Sequence, residues 1–367
     1  MAALASQTQG QRAAEADAVT TAFIIALNQI GAGAIRDALA AWHSEVPVAG
    51  APGAQARWLG RAARRVMQQR RQAALLAIAY YRLVRALRTG ETVGPDKGAT
   101  TLGQLRADFN KLTLGIPPAV RKRAGLTAAV AGGGTQSATE SLSEADRKRY
   151  TQPQKDPETR GDADVIKVDR LPGWKTGDAR LERGAEAEIR EALANLGAGT
   201  LRRKTQDIKD DTPAKEADRA RKEAHRLAGI RQAASSERVA MNGARSKVWD
   251  LADRDKRVLG YIRVSLTGTP CDFCAMLISR GPVYSSAEKA RFDEGDLYHD
   301  NCKCSVEPVF SQGQYESDLY ALNREYSELW PKVTKGLHGE AARQAWRRYF
   351  YTTRKAAQAA AQSAQEA

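Results

Sequence analysis

All four cysteines of this 367-residue chain, Cys271, Cys274, Cys302 and Cys304, fall in one window that reads CDFC and then YHDNCKC, with His299 three residues before Cys302. The spacing constrains the fold around it. A CxxC pair on a tight turn lets two thiolates converge on one ion, and CxC on an extended segment points both sulfurs to the same face, because strand side chains alternate. Together the pairs can close a tetrahedral site, and His299 can replace one sulfur, so five candidates compete for about four places. Such a closed site is structural: it contributes folding free energy, on the order of 10 kcal/mol in small zinc peptides, and leaves no open position for a reactive water. The expected ion is a structural Zn2+. Reduced buried thiols, disulfides, and a nucleophilic Cys271 or Cys274 paired with His299 stand beside this reading. The last of these needs a third group to orient the histidine, and the sequence shows none.

A chain of this length makes two or so domains, and 42% hydrophobic residues is enough to bury real cores. The 57 Lys and Arg against 43 Asp and Glu give a net charge of +14, which makes nucleic acid the leading partner class without naming one. Glu15 and Asp17 precede the brief apolar run AFIIAL, so no secretory signal is expected. The longest uninterrupted apolar stretch, AALLAIAYY at 73–81, is far short of the ~18 residues of a membrane span. A soluble protein made in a reducing cytoplasm follows, in which clustered cysteines point to metal before disulfide.

Apolar residues recur three and four apart from Ala13 to Ala41 and from Gln55 to Arg88 with no internal proline, which predicts two long helices, the second stopping at Thr89-Gly90. LGQLRADFNKLTLG predicts a shorter helix ahead of Pro117-Pro118. From Ala131 to Asp164 large apolar residues nearly vanish, which predicts a flexible linker. Order resumes at VIKVDRLPGW; Glu182 to Leu196 reads as a short helix ending at Gly197. Thr212-Pro213 opens a long charged helix towards Asp255, with Gly229 and Gly243 as interruptions. GYIRVSLTG at 260–268 reads as a strand leading into CDFC. Tyr315, Leu319, Leu322, Tyr326 and Leu329 predict a helix up to Pro331, and a last helix from Gly339 ends in a frayed AAQAAAQSAQEA tail.

The run from Arg238 to Asp255, then GYIRV, CDFCAMLISRGPVY, YHDNCKC and EPVF, resembles the C-terminal module of phage Mu F-like minor head proteins in their actinobacterial phage branch. The resemblance covers about residues 235–310. Many members end in His-Pro-Asn-Cys-Arg-Cys; this chain has Asp300 and Lys303 at the second and fifth places and keeps His299, Asn301 and both cysteines. The resemblance implies a low-copy component inside a tailed-phage head, made in the host bacterial cytoplasm and associated with the portal, other head proteins and sometimes packaged DNA. Some relatives carry a fused maturation protease or toxin. Here there is no GxSxG and no HExxH, and His43, His225, His299 and His338 are widely scattered, so no enzyme activity and no small-molecule substrate are expected.

Basic residues concentrate in the second predicted helix, where Arg57, Arg61, Arg64, Arg65, Arg70, Arg71, Arg82, Arg85 and Arg88 occur with no Asp or Glu among them. Such a helix can lay guanidinium groups on double-stranded DNA phosphates without reading bases. The competing reading is a solvated face, or one docked on an acidic protein such as a portal. In WRRYFYTTRK at 346–355, aromatic residues on one helix face favour packing over base stacking. The expected architecture is mainly α: an N-terminal helical domain (1–125), a flexible linker (126–164), an α+β module built on a Cys/His zinc knuckle (165–311), and C-terminal helices with a tail (312–367). The expected role is a minor head protein with no membrane partner. Its rivals are a Cys/His-dependent enzyme such as a maturation peptidase, and a zinc-stabilised non-specific DNA-binding protein.

Overall fold

The computed structural model describes residues 8–48, 52–113, 165–174, 179–282, 300, 302 and 304–366, so the expected linker at 126–164 lies outside the described residues. The chain forms two compact units, Met1–Arg254 and Asp255–Ala367. This division differs from the one drawn from composition. The segment expected to begin a second domain at 165 is built into the first unit, because strand pairing and small-residue helix contacts tie it there.

In the first unit α1 (Gln9–Glu45) and α2 (Pro52–Thr89) pack side by side and against α6 (Ala214–Arg254). A capping box starts α1: the Thr8 hydroxyl accepts from the Gln11 amide and the Gln11 side chain accepts from the Thr8 amide. Phe23 of α1 stacks on Tyr80 of α2 at 4.1 Å between ring centroids, and Trp42 meets Trp58 edge-on at 4.8 Å. By length and composition α1 can cross a membrane, which a search for uninterrupted apolar runs does not reveal, because Thr20, Thr21, Asn28 and Gln29 break its apolar stretches. Its Phe23, Leu27 and Trp42 are instead buried within the unit.

The charged appearance of α6 predicts an exposed helix, yet it is a central one. Its buried side is rich in Ala, Ser and Gly, which hydropathy undervalues, with Val239, Met241, Val248 and Leu251 among them, and it also buries Glu237, Arg245 and Lys247. Gly229 and Gly243 do not interrupt it. A Cβ on Gly243 would lie 2.0 Å from the Arg70 carbonyl oxygen of α2, and one on Gly229 would lie 2.8 Å from the Trp42 indole. These glycines let the helix axes approach.

After α2, β1 (Glu91–Gly94) and β2 (Gly98–Thr101) flank β3 (Val165–Arg170), which runs parallel to β1 and antiparallel to β2. Then α3 (Leu102–Leu112) is held to α1 by a two-bond Arg106–Glu15 pair, both contacts at 2.6 Å. Next, α4 (Ala179–Ala192) passes through a π-helical turn, Leu193–Ala198, into α5 (Gly199–Gln206), so the helical run continues beyond the expected stop at Gly197.

The second unit contains an antiparallel pair, β4 (Gly260–Ser265) and β5 (Cys304–Val309), the short α7 (Asp272–Ile278), α8 (Ala321–Val333) and α9 (Gly339–Glu366). Pro331 sits in the last turn of α8. The backbone of α9 is helical through Glu366, where the sequence predicts fraying. The core of this unit is α7 wedged against α8 and α9: Ala275, Met276, Leu277 and Ile278 pack with Tyr326 and Trp346.

Candidate metal centre

The register of β4 and β5 brings the cysteines together. Ser265, the last residue of β4, pairs with Cys304, the first of β5, so the chain leaving β4 turns into Cys271 beside the strand that Cys304 begins. Cys271 is the N-cap of α7, with extended backbone at φ −65° and ψ 163°, and its Sγ accepts from the Cys274 amide at 3.3 Å. The cap thus satisfies a helix N-terminal donor with sulfur and turns the CxxC pair inward.

Three sulfurs form a buried triangle: Cys302–Cys304 at 3.0 Å, Cys274–Cys304 at 3.1 Å and Cys274–Cys302 at 3.4 Å. None is in a disulfide, and the spacings are well beyond the ~2.05 Å of an S–S bond. Half-buried Cys271 packs against the trio. A metal ion can be held by Cys274, Cys302 and Cys304, whose donor atoms all lie within 4.8 Å of one another. At ~2.3 Å per metal–sulfur bond, a tetrahedral ion needs sulfurs about 3.8 Å apart, so loading requires the edges of the triangle to open by about 0.4–0.8 Å. The donor set, three buried sulfurs with a fourth alongside, fits a thiophilic divalent ion.

Burial pushes the Cys304 thiol up to about 11, even with the Arg263 guanidinium beside it. Hydrogen bonding to Cys271, then to Cys302 and Cys304, together with burial, holds Cys274 far above the usual thiol range. Without a cation Cys274 and Cys304 hold their protons at neutral pH, and a bound metal reverses that balance.

Two elements clamp the site. Asn323 of α8 donates its Nδ2 to the Arg263 carbonyl of β4 at 2.7 Å and to the Ile278 carbonyl of α7 at 3.3 Å. Trp346 of α9 donates its Nε1–H to the Asp272 carbonyl at 2.9 Å. The sequence reading missed Arg263, whose Nε lies 3.0 Å from Cys304 Sγ. The signal was a lone charge at an alternating position of the apolar strand GYIRVS. His299, the fifth sequence candidate, lies outside the described residues.

The nine arginines of α2 divide in two. Arg70 (7% exposed) reaches Glu182 at 3.3 Å and the Val239 carbonyl at 3.2 Å; Arg85 (2%) reaches Asp169 at 3.2 Å. Arg88 pairs with Asp17, and Arg82 donates to the Val93 carbonyl at 3.1 Å, burial lowering its pKa. These four hold the fold together and present no common basic face. Arg57, Arg61, Arg64, Arg65 and Arg71 are exposed, and their spacing puts them on one side of the helix. Arg61 and Arg65 share Glu45, at 2.7 and 3.8 Å, and Arg71 meets Glu182 at 3.4 Å.

A family model described as VG15 protein, a phage protein family, matches residues 179–329, from the start of α4 to within α8, less than half of the chain and inclusive of all four cysteines. No match was found among curated proteins or among solved structures.

Proposed function

We propose that the chain is a minor head protein of a tailed bacteriophage, seated inside the head near the portal, with zinc in its cysteine centre and no chemical step of its own. The observation that carries this reading is the coincidence of the phage-family match with the sulfur cluster and the helices that clamp it. The site chemistry supports a structural centre. A reactive cysteine needs a lowered pKa and an exposed sulfur, whereas Cys274 and Cys304 are buried and their thiols are raised.

In this reading the helical surfaces attach to portal and other head proteins during assembly, with DNA as a secondary contact. The five exposed arginines of α2 lie on one face, and Arg61, Arg65 and Arg71 stay 46, 51 and 66% exposed despite their carboxylate partners. If all five met phosphates of double-stranded DNA, affinity would fall on the order of 10²–10³-fold between 50 and 200 mM salt, without sequence preference.

Quantitative mass spectrometry of DNA-filled particles, with portal and major capsid proteins as internal standards, tests the assignment. A few copies per particle supports it. Absence from mature and immature particles alike contradicts it.

A further inference from the structure

Arg263 sits in the middle of β4, is 4% exposed, and directs its Nε–H to Cys304 Sγ at 3.0 Å within the buried sulfur cluster. Its position is over-determined. Asn323 holds its carbonyl, and the strand register places it opposite Val306, two residues along β5 from Cys304. Alternation along β5 puts Cys304 and Val306 on one face of the pair, the face that Arg263 shares. A guanidinium is charged at every accessible pH and offers only donors. The Nε–H lies 3.0 Å from the Cys304 sulfur, and a metal-bound thiolate there would accept a charge-assisted hydrogen bond from it.

A divalent ion held by three thiolates carries a net charge of −1, and one held by four carries −2. Either is costly in a buried site. One guanidinium at hydrogen-bond distance cancels one unit of that charge and draws electron density from the sulfur it touches.

We infer that Arg263 is an outer-shell residue of the metal centre, donating its Nε–H to the Cys304 thiolate and offsetting the charge of a thiolate-bound divalent ion. The inference rests on reading the sulfur cluster as a metal site. Arg263 is a positioning and charge-balancing residue, and no proton or electron moves through it. Partners of this kind, when removed, typically lower metal affinity 10–100-fold.

The test is a cobalt(II) titration of the full-length reduced chain, which reads both affinity and the energy of the sulfur-to-cobalt charge-transfer band. The wild type takes one cobalt per chain with that band. Arg263→Met binds 10–100-fold more weakly, and its band moves to lower energy, because a thiolate relieved of a hydrogen bond gives up an electron more readily. Arg263→Lys recovers part of the affinity through its charge. Arg263→Gln retains a neutral N–H donor and so keeps more of the band position than of the affinity. Should Arg263→Met fail to fold, the lysine and glutamine variants carry the comparison. Affinity and band position unchanged from wild type in the folded variants would overturn the role given to Arg263. A wild-type chain with no sulfur-to-cobalt band removes the metal reading itself, a different failure that the same titration identifies.

Discussion

Trp346 donates its indole Nε1–H to the main-chain carbonyl of Asp272, 2.9 Å away, and so ties α9 to the first turn of the helix that carries the CxxC pair. The same ring is edge-on to Tyr326 at 6.1 Å and 4.8 Å from the Phe350 centroid. Replacing Trp346 by alanine is expected to cost about 3–5 kcal/mol. Replacement by phenylalanine keeps much of the packing and loses the hydrogen bond with part of the ring, a smaller cost of about 1–2 kcal/mol. Urea unfolding, read beside limited proteolysis between α7 and α9, measures both; equal losses for the two variants would show that the hydrogen bond, not the packing, holds the helix.

Gly243→Ala places a Cβ 2.0 Å from the Arg70 carbonyl, and backbone cannot yield cheaply there. The expected result is a loss of more than about 2 kcal/mol as α6 is pushed off α2. Gly184→Ala is the matched control. Nothing lies within 4 Å of the added methyl on α4, so a gain of about 0.5–1 kcal/mol is expected. Thermal denaturation followed by circular dichroism separates the two.

His225 gives the first unit a pH dependence. Its Nε2 lies 2.8 Å from the Val46 carbonyl, and burial, ahead of the opposing hydrogen bond, lowers its pKa below the usual histidine value. Below about pH 6.5 the unfolded chain binds a proton that the folded chain resists, so stability is full at neutral pH and falls as the pH drops towards the folded pKa. Unfolding free energies measured between pH 7.5 and 5 should decline in the wild type, and the decline should flatten in His225→Gln. Identical slopes would assign the effect elsewhere.

The arginines of α2 should separate into two groups on substitution. Arg85→Ala breaks the contact with Asp169 on β3 and is expected to cost about 1.5–3 kcal/mol. Arg57→Ala and Arg64→Ala, on the exposed side, should stay within about 0.5 kcal/mol of wild type. If DNA binds this face, each exposed substitution lowers the slope of log affinity against log salt by about 1.

Much of the secondary structure was legible because its signals are local. The helical period of α1 and α2, Thr212-Pro213 ahead of α6 and the alternation in GYIRVS depend on neighbours in sequence. The division into units was not, because it depends on pairings between distant segments: β3 enters a sheet with strands some seventy residues earlier, and the glycines of α6 acquire meaning only where α2 and Trp42 approach them. Charge misled twice for the same reason. Arg70 and Arg85 read as surface residues until Glu182 and Asp169 arrive from other segments. At the candidate metal centre the cysteines were legible from spacing alone, whereas Arg263, Asn323 and Trp346 emerge only once β4, α8 and α9 meet around them.

The most direct measurement of the account is native mass spectrometry of the full-length chain purified under reducing conditions without added metal, paired with proteolysis of the same sample before and after chelation. The account predicts one zinc per chain, lost with chelation and in Cys274→Ser and Cys302→Ser, with the region from β4 to α9 becoming protease-sensitive as the zinc leaves. A metal-free chain whose second unit resists protease would contradict it.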